Sequence, residues 1–257
     1  MAGSLFLRWV AGFHSSPALG SDVYYHYSDI GGNMELWHGS EEIVRTPLIE
    51  LCKPFNDYGA GFYCTHSPEL AREWAAKSIG GCAFANLYEL DTAGLKTLDL
   101  EGPDYNVLNW LAVLLEHRIF QATTALAQAA TSYIATQFSL DISNYDLIRG
   151  YRADDSYFSF ARAFVSNQIS LEQLEQAMHL GKLGIQTVLK SPRAFERVRF
   201  IKALEVDTNR YAPLRAQRDS QAREAFRTLR AEPDLTGIYV RDILAREMTN
   251  DDFKNCN

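Results

Sequence analysis

The chain has 257 residues, enough for one sizeable hydrophobic core or for one domain with an appendage. It carries 25 Lys and Arg residues against 32 Asp and Glu residues, and its net charge of −7 does not favour the phosphate backbone of nucleic acids. No run reaches the ~18 apolar residues that span a bilayer. The four cysteines lack C-x-x-C spacing, which favours thiols in a reducing compartment over a zinc site. The sequence therefore predicts a cytoplasmic globular protein without a membrane span or a metal.

Residues 1–33 differ in composition from the rest of the chain. They carry only three charged side chains, at Arg8, Asp22 and Asp29. Met34 stands directly before a strand-like run that ends in His38. This change predicts an N-terminal extension over 1–33 and a folded domain that begins near Met34.

Strands and helices are mixed beyond Met34 without strand–helix–strand alternation, which indicates an α+β fold. Ser67-Pro68-Glu69 has the sequence of a helix start, and Gly80-Gly81 is the expected stop. Helical spacing over 103–140 predicts a helical insertion, and the polar segment 206–257 is predicted to be mainly helical. Strands are expected at 34–38, 84–90, 144–150, 184–190 and 198–206.

Two motifs carry most of the information about function. The first is the run Trp37-His38-Gly39-Ser40, and the second is the turn Tyr58-Gly59-Ala60-Gly61-Phe62-Tyr63. Together they resemble the NAD-binding core of the ADP-ribosyltransferases, in the branch of diphtheria toxin and the poly-ADP-ribose polymerases. They also resemble a bacterial family of unknown-function domains assigned to that superfamily. The resemblance implies a pair of small, mostly antiparallel sheets over residues 34–205, packed face to face with NAD as co-substrate in the cleft between them.

The resemblance assigns NAD-binding roles to five residues. His38 would hydrogen-bond the ribose hydroxyls, and the backbone of Gly39, with the adjoining Ser40, would hold the nicotinamide carboxamide. Tyr63 would stack on the nicotinamide ring, and Trp74 would form the second wall of the same slot. Each of these residues has a plainer alternative, as a strand-end histidine, a strand glycine or serine, or an aromatic side chain of the core.

The third motif of that superfamily is a strand with a catalytic glutamate, and Gln186 takes this place in the run 184–190. Glutamine can position a ribose hydroxyl but cannot accept a proton, so a glutamate here is expected to keep or raise turnover. The missing catalytic acid is assigned to Asp154 or Asp155, whose alternative role is to cap a helix. Ala71 stands where the polymerases often carry a serine, so one hydrogen bond to nicotinamide is expected to be missing.

These assignments imply mono-ADP-ribosyl transfer from NAD to a macromolecular acceptor, more readily a protein than a nucleic acid. The resemblance further implies a bacterial toxin or effector, either cytoplasmic or secreted. The alternatives are an NAD glycohydrolase and an inactive module that binds NAD or a partner. Segment 210–230 holds six arginines against two acids, which predicts a surface for an acidic partner such as an antitoxin, or else a solvated helix face.

Overall fold

The computed structural model of the protein describes residues 32–153, 155–180 and 184–253. The extension predicted over 1–33 therefore lies almost wholly outside the described residues, and so does the candidate acid Asp154. The described part of the chain has the predicted mixture of strands and helices and is an α+β fold.

Seven strands lie in the described residues and form one sheet. They are β1 Asn33–Ser40, β2 Phe62–Thr65, β3 Phe84–Asp91, β4 Thr97–Asp99, β5 Leu147–Tyr151, β6 Ile185–Leu189 and β7 Val198–Glu205. Their order across the sheet is β4-β5-β6-β2-β1-β3-β7. The pairing of β4 with β5 is parallel, and the other neighbours are antiparallel.

The predicted pair of sheets is not confirmed, because β1 and β2 join the strands into a single sheet. The join is narrow. Strand β1 pairs with β3 from Asn33 to Ser40, whereas its register with β2 consists of Trp37↔Thr65. The sheet therefore has a weak line between the part β1-β3-β7 and the part β4-β5-β6-β2. We call this line the seam, formed by Trp37–Ser40 of β1 and Phe62–Thr65 of β2.

The helices cover the sheet and make up most of the C-terminal region. In the described residues they are α1 Pro68–Ala75, α2 Val107–His117, α3 Ala125–Gln137, α4 Asp155–Val165, α5 Leu171–Met178, α6 Pro192–Arg197, α7 Thr208–Ala231, α8 Val240–Ala245 and α9 Asn250–Phe253. Helices α2 and α3 lie within 103–140, and α7 to α9 lie within 206–257. Among the described helices, none combines the length and the apolar character that a membrane crossing requires.

Helix α1 begins where the sequence predicts and ends earlier. The Ser67 side chain accepts a hydrogen bond from the backbone N–H of Leu70, and Pro68 is the first helical residue. The helix ends at Ala75 rather than at the glycine pair. Gly80 instead donates its N–H to Thr208 Oγ1 over 3.0 Å, next to the start of α7. This contact between distant parts of the chain sets the path after α1, and the local pattern contains no sign of it.

The two faces of the sheet pack against different layers. Side chains of successive strand residues point to opposite faces. On one face Val188 of β6 joins the large core built with α2, α4 and α5, and Tyr63 of β2 packs against this core. On the other face Leu36, Phe62 and Leu189 form a smaller core. The His38 ring stacks on Phe62 and so lies on the face of the smaller core, whereas the Tyr63 ring lies on the opposite face of the sheet.

Candidate functional site

The imidazole of His38 bridges the seam where β1 and β2 separate. Its Nδ1 lies 2.7 Å from the carbonyl oxygen of Tyr63. A carbonyl can only accept, so Nδ1 carries the hydrogen and Nε2 keeps a free lone pair in the neutral ring. Burial lowers the pKa of His38 below its ordinary value of 6.5, which keeps the ring neutral at physiological pH. His38 is therefore held as a hydrogen-bond acceptor, and no other described residue binds Nε2.

The turn before β2 fixes the side chain of Tyr63. Gly59 has a φ of +74°, and a Cβ at Gly61 would lie 2.6 Å from Val188 Cγ1, so neither position tolerates a side chain. The Tyr63 hydroxyl donates to the Gly59 carbonyl over 2.7 Å and accepts from the backbone N–H of Tyr58 over 2.9 Å. The turn thus holds the half-buried Tyr63 ring in one orientation.

Gly39 and Ser40 are occupied by contacts within the protein. A Cβ at Gly39 would lie 2.0 Å from the carbonyl oxygen of Ala71, so the missing side chain is explained by the close packing of α1 on β1. The Ser40 hydroxyl donates to the Glu42 carbonyl over 2.5 Å and accepts from Asn86 Nδ2 over 3.0 Å. The packing of α1 on β1 is thus enough to explain why residue 39 is a glycine. The predicted roles of Gly39 and Ser40 in holding the nicotinamide carboxamide stay predictions.

Trp74 is half-buried on α1, and one face of its ring is covered. The guanidinium carbon of Arg152 lies 4.0 Å from the ring centroid, a close cation–π contact. The indole Nε1 is buried without a hydrogen-bond partner among the described residues. The ring of Trp74, predicted to be the second wall of the nicotinamide slot, is therefore covered on one face by Arg152, which the sequence did not indicate.

Gln186 belongs to a buried polar network. Its Nε2 donates to Asp57 Oδ2 over 3.0 Å and to the Tyr151 carbonyl over 3.2 Å. Both partners accept, so both amide hydrogens are committed and Oε1 remains as the acceptor. Gln186 is 2% exposed and Asp57 is 6% exposed. Direct contact between Gln186 and a ribose hydroxyl would thus have to use Oε1.

Asp57 connects four parts of the structure. Besides Gln186 of β6, its Oδ2 accepts from the backbone N–H of Ala153 over 2.9 Å. Its Oδ1 accepts from Arg118, just after α2, over 3.0 Å. Burial raises the pKa of Asp57, and the bonds from Ala153 and Gln186 and the charge of Arg118 lower it in part. The carboxylate therefore ties the glycine turn to β6 and to the chain that leaves β5.

The catalytic roles predicted for Asp154 and Asp155 stay predictions. Asp154 lies outside the described residues, and Asp155 is the first residue of α4, with its side chain also outside the description. The described acid that contacts Gln186 is Asp57. Sequence reasoning missed it because an acid before Tyr58-Gly59 looks like an ordinary turn residue. The usable signal was its place immediately before the glycine motif.

Comparisons with known proteins give a family for the chain. A family model described as "Protein of unknown function (DUF3990)" matches residues 34–200, well over half of the 257 residues. A search of curated proteins and a search of solved structures found no match.

Proposed function

We propose that this chain, which belongs to the DUF3990 family of proteins of unknown function, binds NAD at the seam and transfers its ADP-ribose unit to a macromolecular acceptor. The observation that carries the proposal is the hydrogen bond between His38 Nδ1 and the Tyr63 carbonyl. It brings the two motif residues together and leaves one imidazole nitrogen free to accept. The narrow join between β1 and β2 supports a cleft at the same place.

Fixing the ribose and stacking the nicotinamide are two requirements of this chemistry that the candidate residues could meet. Breaking the bond between nicotinamide and ribose develops positive charge on the ribose, so the protein must fix the sugar and stabilise that charge. His38 Nε2 would accept from a ribose hydroxyl and fix the sugar. The Tyr63 ring would stack on the nicotinamide, while Trp74 would do so after Arg152 leaves its ring face.

In this proposal the carboxylate of Asp57 stabilises the positive charge on the ribose indirectly, through the amide of Gln186. A carboxylate that accepts from an amide N–H polarises the amide and makes its carbonyl oxygen a stronger acceptor. Gln186 Oε1 would then stabilise the developing positive charge without accepting a proton. Because glutamine supplies no base for chain elongation, transfer of a single ADP-ribose unit is the expected outcome.

NAD hydrolysis is the second candidate activity, and the glutamine at position 186 favours it. Gln186 cannot deprotonate an acceptor group, and the carboxylate beside it is buried. An activated ribose without a bound acceptor would react with water. A module that binds NAD without reaction is the remaining alternative, also because glutamine stands in the glutamate position.

NAD labelled separately in its adenylate and nicotinamide parts distinguishes these activities. The chain is incubated with each form, with cell protein or nucleic acid as acceptor and with His38→Ala as the matched control. The proposal predicts release of nicotinamide together with adenylate label on protein, and loss of both in the control. Release without labelled acceptor would indicate hydrolysis, and the absence of both products would contradict either enzymatic activity.

A further inference from the structure

An arginine-lined groove lies between α4 and α7. Its volume is about 450 Å³. The buried side chains of Phe160, Ala163 and Phe226 form its floor. Its remaining lining residues are exposed or half-buried and polar, and they are Ser159, Arg162, Ser166, Gln168, Arg223, Arg227 and Arg230. We call this the α4/α7 groove. It shares no residue with the seam.

The arginines are spaced to form a row. Arg223, Arg227 and Arg230 follow one another at helical spacings of four and three residues, so they lie on one face of α7. With a rise of about 1.5 Å per residue, the row extends over about 10 Å. Arg162 of α4 also lines the groove, and its guanidinium carbon lies 4.8 Å from the centroid of the Phe158 ring. The C-terminal part of the predicted basic segment 210–230 is therefore one wall of a concave site.

Arginines outnumber acidic side chains among the described lining residues of this groove. Arg223 pairs with Asp219 over 2.8 Å, and Arg230 donates to the neutral Gln168 over 3.4 Å. The lining residues described for the groove include no acidic side chain. Like charges at these helical spacings repel one another, so a bound anion would relieve that repulsion.

We propose that the α4/α7 groove binds the phosphate chain of a nucleotide-sized ligand. Guanidinium groups bind phosphate oxygens through paired hydrogen bonds, and several contiguous phosphates would contact several arginines at once. The groove volume falls in the range of about 300–1,000 Å³ that is typical of small-molecule sites. An acidic peptide presents single, more widely spaced carboxylates and matches this short row less well.

Titration calorimetry with inorganic tripolyphosphate and with ATP tests the proposal. Both are expected to bind the wild-type chain, and adenosine is not. Arg227→Glu and Arg162→Glu should each weaken binding by about tenfold or more, because each removes a contact to phosphate and adds repulsion. Arg215→Glu makes the same charge change at an exposed position of α7 outside the groove, and affinity should stay within about twofold.

Thermal denaturation tests the proposal independently of calorimetry, in case a substitution changes the stability of the chain. Arg227→Gln should raise the melting temperature of the ligand-free chain, because it removes a like charge, and should reduce the stabilisation by tripolyphosphate. The proposal is overturned if neither phosphate compound binds, or if the groove variants bind like Arg215→Glu. It is equally overturned if only an oligonucleotide or an acidic peptide binds. Tripolyphosphate binding that survives His38→Ala but not Arg227→Glu would support a phosphate site separate from the seam.

Discussion

Replacing Asp57 with alanine should lower the free energy of unfolding by about 3–5 kcal/mol, the usual cost of removing one partner from a buried ion pair. The carboxylate is 6% exposed and accepts from Arg118, Ala153 and Gln186. Alanine would leave the N–H groups of Ala153 and Gln186 without their buried acceptor, and Arg118, whose side chain is 26% exposed, without its charge partner. Urea denaturation followed by circular dichroism measures the loss.

A surface acid gives the matched control for this substitution. Asp99 also pairs with an arginine, Arg149, but its side chain is 42% exposed. Asp99→Ala should therefore cost no more than about 1 kcal/mol. Asp57→Asn, which keeps the volume and one acceptor, should fall between the two. A loss below about 1 kcal/mol for Asp57→Ala would show that the buried network contributes little to the fold.

Gln186→Glu should destabilise the protein by about 3 kcal/mol at pH 8, although the motif comparison alone leads one to expect preserved or higher turnover. A glutamate would place a second carboxylate next to Asp57 and would remove the donor that bonds both Asp57 and the Tyr151 carbonyl. Two adjacent carboxylates cannot both ionise cheaply, so the folded-state pKa of the pair is raised. The variant should therefore be most stable in acid and lose stability as the pH rises through that pKa.

The double variant Asp57→Asn with Gln186→Glu tests the cause of this loss. It exchanges the two groups, so one carboxylate again accepts from one amide. Its urea midpoint at pH 8 should recover part of the loss seen in Gln186→Glu. If the two substitutions instead destabilise additively at pH 5 and pH 8, repulsion between the carboxylates is not the cause.

The sequence predicted local features of the fold well. The Ser67-Pro68 start of α1, the strand that carries His38 and the helices within 103–140 follow from capping chemistry and apolar spacing. These signals act between residues that are near one another in the chain. Local signals could not predict the number of sheets, because a single register pair, Trp37↔Thr65, decides whether the strands form one sheet or two.

The candidate site was predictable only in part, for the same physical reason. His38 and Tyr63 are part of compact motifs, and the structure joins the His38 ring to the backbone carbonyl of Tyr63. The bond from Gln186 to Asp57 and the contact of Arg152 with Trp74 join distant segments. Gly39 shows a further limit, because a glycine needed for helix packing and a glycine needed for ligand approach look identical in sequence.

Calorimetric titration with NAD tests the central claim, that NAD binds at the seam, most directly. His38→Ala and Tyr63→Ala should each lose about 1–3 kcal/mol of binding free energy, through a lost hydrogen bond and a lost stacking surface. Glu35→Ala, an exposed change on the same strand, should bind like wild type. Because the pKa of His38 is lowered, wild-type affinity should fall only when the pH drops below its ordinary value of 6.5. Unchanged NAD affinity in both His38→Ala and Tyr63→Ala would place the binding site elsewhere.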